Sequence, residues 1–222
     1  MDPTFLIIMA VVLVITGLLV FLAIRANERR RKQLRERLLQ SGYDVRDVRV
    51  EEDLSPFVIP RFGETGTIDW RGMQIPVNGG TVTMFDYLAQ TIQTRGEKSQ
   101  ITQADHQTIL LFDSERLDLP SFSLYPEKYK RKFGQMEGQQ EVDFKQNSAF
   151  PKGYVLQAAD EAKVRPLLSS ALFHFINEKD GLCVEGAGQK LLVYRPKKVV
   201  KPDQVETFLK EGITLLELLS RS

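Results

Sequence analysis

Three hydrophobic and polar patterns follow one another along this chain. Residues 5–24 are apolar without a single charge, residues 25–37 are dominated by cations, and from Tyr43 onward short apolar runs alternate with turn signals. The first pattern predicts a helix: twenty residues at about 1.5 Å each reach roughly 30 Å, the thickness of a bilayer's hydrocarbon core. Fifteen of the twenty are Leu, Ile, Val or Phe. On an insertion scale they sum to about −5 to −9 kcal/mol, an upper bound because outer positions contribute less. A cleaved secretory signal needs a basic region before the apolar stretch and a shorter core, whereas here the cations come after it and only Asp2 precedes it.

The second pattern sets an orientation. Arg25, Arg29, Arg30, Arg31, Lys32, Arg35 and Arg37 stand against Glu28 and Glu36. The positive-inside bias places this side in the cytoplasm and sends the short amino terminus across the plasma (inner) membrane. The same seven cations form a membrane-interface cluster expected to sit against anionic headgroups. Good helix formers continue to about Gln40, where Ser41-Gly42 offers a stop, and Leu34, Leu38 and Leu39 make a narrow apolar stripe.

The third pattern reads as a β meander followed by mixed elements. Strands are expected near 44–50, 67–71, 73–77, 81–94, 103–113 and 154–158, with Asn78-Gly79-Gly80 as a tight turn and 109–112 at the sheet's centre. Residues 119–125, bounded by Pro120 and Pro126, are expected at an edge, because proline cannot donate to a ladder. A helix over 160–178 has Val164, Leu167, Leu168, Ala171, Leu172 and Phe175 on one face, leaving Phe173 opposite it as a position needing cover; Pro166 interrupts its start. A hairpin at 182–186 and 190–195 follows. A second helix opened by Pro202 presents Val205, Phe208, Leu209, Leu216 and Leu219. The expected fold is α+β: an N-terminal transmembrane helix, then one domain with an antiparallel sheet and two packed helices. Its expected divisions are 1–24 for tail and anchor, 25–42 for the basic juxtamembrane helix, and 43–222 for the cytoplasmic domain.

Charge adds one exclusion. Of the whole-chain +1, residues 1–24 carry −1 and residues 25–37 carry +5, which leaves −3 for residues 38–222, so no basic face is implied and nucleic acid is not an expected partner. Cys183 is the only cysteine, so no internal disulfide forms.

Candidate chemistry is sparse. Cys183 and His174 lie nine residues apart but on a strand and a helix flank, with no third group and no reason for a lowered thiol pKa. Two histidines, His106 and His174, with one cysteine match no metal-ligand spacing, and no cofactor is expected. Gly186-x-Gly188 opens into a strand, which suits a hairpin turn better than a phosphate loop. The mixed run from Lys128 to Phe133 reads as a solvated basic loop. Glu185, on the same side of its strand as Cys183, needs a partner if buried.

The succession MFDY, HQTILLF, LDLPSFSLYPE and VEGAGQKLLVYRP resembles uncharacterised bacterial membrane-anchored proteins in which one amino-terminal helix precedes one soluble domain. The resemblance implies a bacterial membrane and carries no activity. Two functional readings follow. One is a non-enzymatic interaction domain that binds a protein or lipid-headgroup partner beside the bilayer, or a second copy of itself. The other is a membrane-tethered hydrolase using carboxylates such as Asp86, Asp105, Asp113 or Glu185.

Overall fold

The structure, a computed structural model, describes residues 3–57, 59, 65–69, 71–95, 98–130, 138–144 and 149–220. It opens with one uninterrupted helix, α1 (Pro3–Gln40). Among the described residues this helix is long and apolar enough to cross a membrane, and its apolar window is entirely exposed. The body is an α+β domain built on an antiparallel sheet.

Among the described residues ten strands form that sheet: β1 (Arg46–Arg49), β2 (Thr65–Ile68), β3 (Arg71–Val77), β4 (Gly80–Arg95), β5 (Lys98–Ser114), β6 (Leu119–Pro126), β7 (Gln140–Glu141), β8 (Tyr154–Ala158), β9 (Cys183–Gly188) and β10 (Lys190–Tyr194). Their hydrogen-bonded order is β1-β3-β4-β5-β10-β9-β6-β8-β7, and β2 pairs with β4 beyond the end of β3. Among the described residues two further helices longer than a single turn complete the domain, α2 (Ser170–Asn177) and α3 (Val205–Ser220).

Both faces of the sheet are covered, which explains why ILLF in β5 is apolar without alternation. Leu110 and Phe112 face the larger core, beneath α2, α3 and the last turns of α1. Ile109 and Leu111 face a smaller one with Val50, Leu54, Phe57 and Ile59 from the segment after β1. β5 pairs with β4 and β10 in the middle of the order, as its composition suggests.

Three expectations change. β6 is not an edge strand: it lies between β9 and β8. Pro120 is tolerated because it sits where the β6–β9 register shifts between Leu119 and Phe122, and Pro126 closes the strand. The long helix expected over 160–178 is broken. A single turn, Glu161–Val164, and a 3-10 turn, Arg165–Leu167, end at Leu168 in a non-helical conformation, and Ser169 caps α2 afresh. The break resets the helical phase, so Leu172, Phe173 and Ile176 become the buried face and Ala171 is exposed. Phe173 is therefore covered from within the chain, edge-on to Phe144 at 5.7 Å and Phe150 at 5.3 Å. Pro202 lies in the turn before α3 and not in its first turn.

The two glycines of Gly186-x-Gly188 serve different needs. Gly188 turns the β9–β10 hairpin with φ of +59°, whereas a Cβ at Gly186 would lie 2.3 Å from Phe122 Cε1. Gly186→Ala is expected to destabilise the protein by about 1–3 kcal/mol through overpacking. Chemical denaturation in detergent checks this, and a change within experimental error would contradict the crowding.

Candidate functional site

The most organised polar region lies where α1 meets the sheet. On α1 the half-buried or buried positions are Asn27, Arg30, Arg31, Leu34, Arg35 and Leu38, a spacing of 0, 3, 4, 7, 8 and 11 that defines one helix face. Its far end is apolar: Leu38 is 0% exposed, whereas Leu39, expected in the same stripe, is 42% exposed because it lies about 100° further round. Its near end is cationic. Arg35 reaches Asp47 at 3.3 Å, and Arg31 reaches Asp69 at 3.6 Å while donating to the Arg71 carbonyl.

Arg30 belongs to a closed ring. One guanidinium nitrogen donates to Asp86 Oδ2 and the other to the Val200 carbonyl at 2.8 Å. The Thr108 hydroxyl donates to Asp86 Oδ1 at 2.7 Å and accepts from the Val200 N–H at 3.0 Å. The ring ties α1, β4, β5 and the connection between β10 and α3 at one point. Charge-assisted hydrogen bonds in a partly dry setting of this kind are stronger than neutral ones. Of the seven cations in the juxtamembrane run, Arg30, Arg31 and Arg35 thus face the domain's carboxylates, and Arg25, Arg29, Lys32 and Arg37 remain exposed.

Above this ring opens a cleft of about 590 Å³. Ala23, Ile24 and Asn27 of α1 form one wall; Ile68, Leu88, His106 and Val199 form much of the other, with Asp69, Arg71 and Asp86 at the base. Asp69 is held by both Arg71 and Arg31. Burial opposes its ionisation, but hydrogen bonds from the Arg71 side chain and N–H, with the Arg71 and Arg31 charges, hold its carboxyl below the usual carboxylate range. A folded pKa below the unfolded one contributes stability above the unfolded value, and the contribution is lost as pH falls through the folded value. The Asp69–Arg31 part of the contact between α1 and the sheet is therefore expected to be present at neutral pH and lost as pH falls below about 4, loosening the helix there. A spin-label distance between α1 and the domain followed through an acid titration checks this; an unchanged distribution in the acid range would argue against it.

The proposed carboxylates do not assemble. Asp86 lies on the helix-covered face, and Glu185 is buried on the opposite one, where it accepts a 2.6 Å hydrogen bond from the Tyr194 hydroxyl. Asp105 pairs with Lys197 at 3.2 Å, and Asp113 is exposed at the end of β5. Nor do Cys183 and His174 meet. Cys183 is wholly buried in the smaller core, with burial and the nearby Glu185 pushing its thiol pKa well up, whereas His174 is exposed on α2 beside Glu178, across the sheet. No group of three or more His, Cys, Asp or Glu is arranged to hold a metal among the described residues. In the mixed basic run, Lys130 pairs with Glu141, and residues 131–133 lie outside the described residues.

The sequence reading named Asp86 as a candidate acid but missed its place under Arg30, and it missed Asp69 altogether. The available signal was the period of Asn27, Arg30, Arg31, Leu34, Arg35 and Leu38, which mixes charge and apolar residues on one face and so escapes a search for apolar stripes.

Fold and junction together define a class: an α+β domain docked on the second half of a helix whose first half is apolar and exposed. No protein-family model matches the chain, and no curated protein matches it. Among solved structures, the crystal structure of the mycobacterial trehalose monomycolate transport factor A, TtfA, superposes with a TM-score of 0.54 at 14% identity, over 86% of this chain and 97% of that one. At this identity the likeness is one of fold.

Proposed function

We propose that this chain is a single-pass membrane-anchored protein whose domain binds a protein or lipid-headgroup partner at the cytoplasmic surface without catalysing a reaction. Residues 1–24 supply the tail and anchor, residues 25–42 the basic juxtamembrane helix, and residues 43–222 the domain. The observation that carries the reading is the single course of α1, exposed and apolar over its first half and locked to the sheet by Arg30 over its second. Such a protein holds its binding surface at a fixed height and attitude above the bilayer, where confinement raises the effective concentration of a weak partner. Arg25, Arg29, Lys32 and Arg37 face anionic headgroups, each contributing about 1 kcal/mol if it lies near the surface.

The fold neighbour is named a transport factor. We read the present chain as an accessory of the same kind, one that positions a partner at a bacterial inner membrane. The dispersal of Asp86, Asp105, Asp113 and Glu185 gives the hydrolase reading no site to act from.

Topology is the direct test. Cys183 is buried, so it stays silent toward maleimides in the folded protein, and a cysteine introduced at exposed Lys201 serves as the reporter. An impermeant maleimide is expected to label Lys201→Cys only after the cells are permeabilised, and the protein is expected to stay in the pellet after alkaline carbonate. Labelling of intact cells would overturn the cytoplasmic placement, and release by carbonate would overturn the anchor.

A further inference from the structure

We propose that the junction cleft takes up an acyl chain of a bilayer lipid. The inference rests on the reading of α1 as a membrane span and adds to it a binding site and the chemistry of its occupant.

Position is the first argument. Ala23 and Ile24, which wall the cleft, are the last apolar residues before Arg25. In a helix that crosses the bilayer they stand at the boundary between hydrocarbon and headgroups, so the cleft opens at the depth where acyl chains begin. It is continuous with the lipid-facing surface of α1, whose described residues from Ile8 to Ala26 are all exposed.

The lining is the second argument. Facing Ile24 are Ile68, Leu88 and Val199, all half-buried by the protein alone, and a volume of about 590 Å³ falls in the range of ligand cavities. Left to headgroup-layer water, these side chains would form an apolar recess at a wet boundary. A lipid chain entering from the side covers them without leaving an apolar environment.

Charge decides against the other lipid moiety. The charged groups at the base are already engaged with one another: Asp86 with Arg30, Asp69 with Arg31 and Arg71, and Arg71 also with Glu28 at 3.9 Å. Three cations meet three carboxylates there, so a phosphate would have to break existing pairs to be held. Asn27 and exposed His106 also line the cleft and offer polar groups to the ester of a chain lodged there.

The test uses the full chain in nanodiscs of phosphatidylcholine containing a fraction of phosphatidylcholine with a diazirine in its acyl chain. Photolysis and peptide mass spectrometry are expected to place adducts on residues 5–24 and also on Ile68, Leu88 and Val199. Leu88→Trp fills the cleft and is expected to lower adducts at Ile68 and Val199 several-fold while those on residues 5–22 are unchanged; Val199→Phe provides a second filling variant should Leu88→Trp fold poorly. Adducts confined to residues 5–24 would overturn the cleft as a chain site. So would cleft adducts that persist undiminished in both variants, since they would reflect simple contact with the bilayer. Absence of adducts on residues 5–24 would remove the membrane span itself, and the proposal with it.

Discussion

Asp86→Ala is expected to lower the stability of the full chain in detergent by about 2–3 kcal/mol and to set α1 loose from the sheet. Breaking one side of a buried ion pair costs about 3–5 kcal/mol because the remaining charge stays desolvated. The Arg30 and Asp86 side chains are 18% and 15% exposed, which places the effect at or just below that range. The substitution leaves Arg30 with the Val200 carbonyl and removes the acceptor of the Thr108 hydroxyl. Asp86→Asn, which retains an acceptor, is expected to fall between the two proteins. The paired change Arg30→Met with Asp86→Leu is expected to recover much of the stability, as apolar replacements of ion pairs often do. Thermal unfolding measures the stability, and electron–electron resonance between labels on Arg29→Cys and Lys201→Cys measures the looseness. A narrow, unshifted distance distribution in Asp86→Ala would show that the ring does not hold the helix.

Phe112→Ala is expected to be the most damaging single change, at about 3–5 kcal/mol, typical of an aromatic lost from a packed core. Phe112 is fully buried on the helix-covered face of β5. Its ring takes the place that a side chain at position 212 would occupy: a Cβ on Gly212 would come within 2.7 Å of Phe112 Cζ and 2.8 Å of Leu110 Cδ1. α3 therefore packs closely on the sheet at this glycine, and the ring occupies the space beneath it. Gly212→Ala alone is expected to destabilise by about 1–3 kcal/mol through crowding. In the Phe112→Ala background the new methyl enters a cavity, so the double variant is expected to be more stable than the sum of the singles predicts. Denaturant titration of the four proteins forms the cycle, and strict additivity would mean that ring and glycine do not share the space.

Segments with a uniform or strictly periodic apolar pattern were the legible part of this fold. The uncharged run at 5–24, the period-3.6 face of α3 and the apolar β5 each follow from local composition, and each is found where expected. β6 was misplaced because the rule that proline avoids inner strands acts at hydrogen-bonded positions, and a register shift removes Pro120 from that requirement. Phe173 was misassigned because a single Ser169 cap restarts the helix, and a pattern read through the break carries the wrong phase. The junction was least legible of all. Its strength comes from Arg30 meeting Asp86 and the Val200 carbonyl, which are 56 and 170 positions away, and charge in a sequence does not reveal its partner.

The unbroken course of α1 has a mechanical consequence. A helix without proline or a flexible break between its apolar and docked halves does not swivel, so whatever inclines the first half inclines the sheet with it. A span of about 30 Å in a bilayer thinned to about 27 Å tilts by roughly 25° to keep its apolar length covered. In the proposed membrane-anchored protein the domain would pitch through the same angle, like a mast carrying its lantern, and local membrane thickness would then steer which of its edges meets a neighbour.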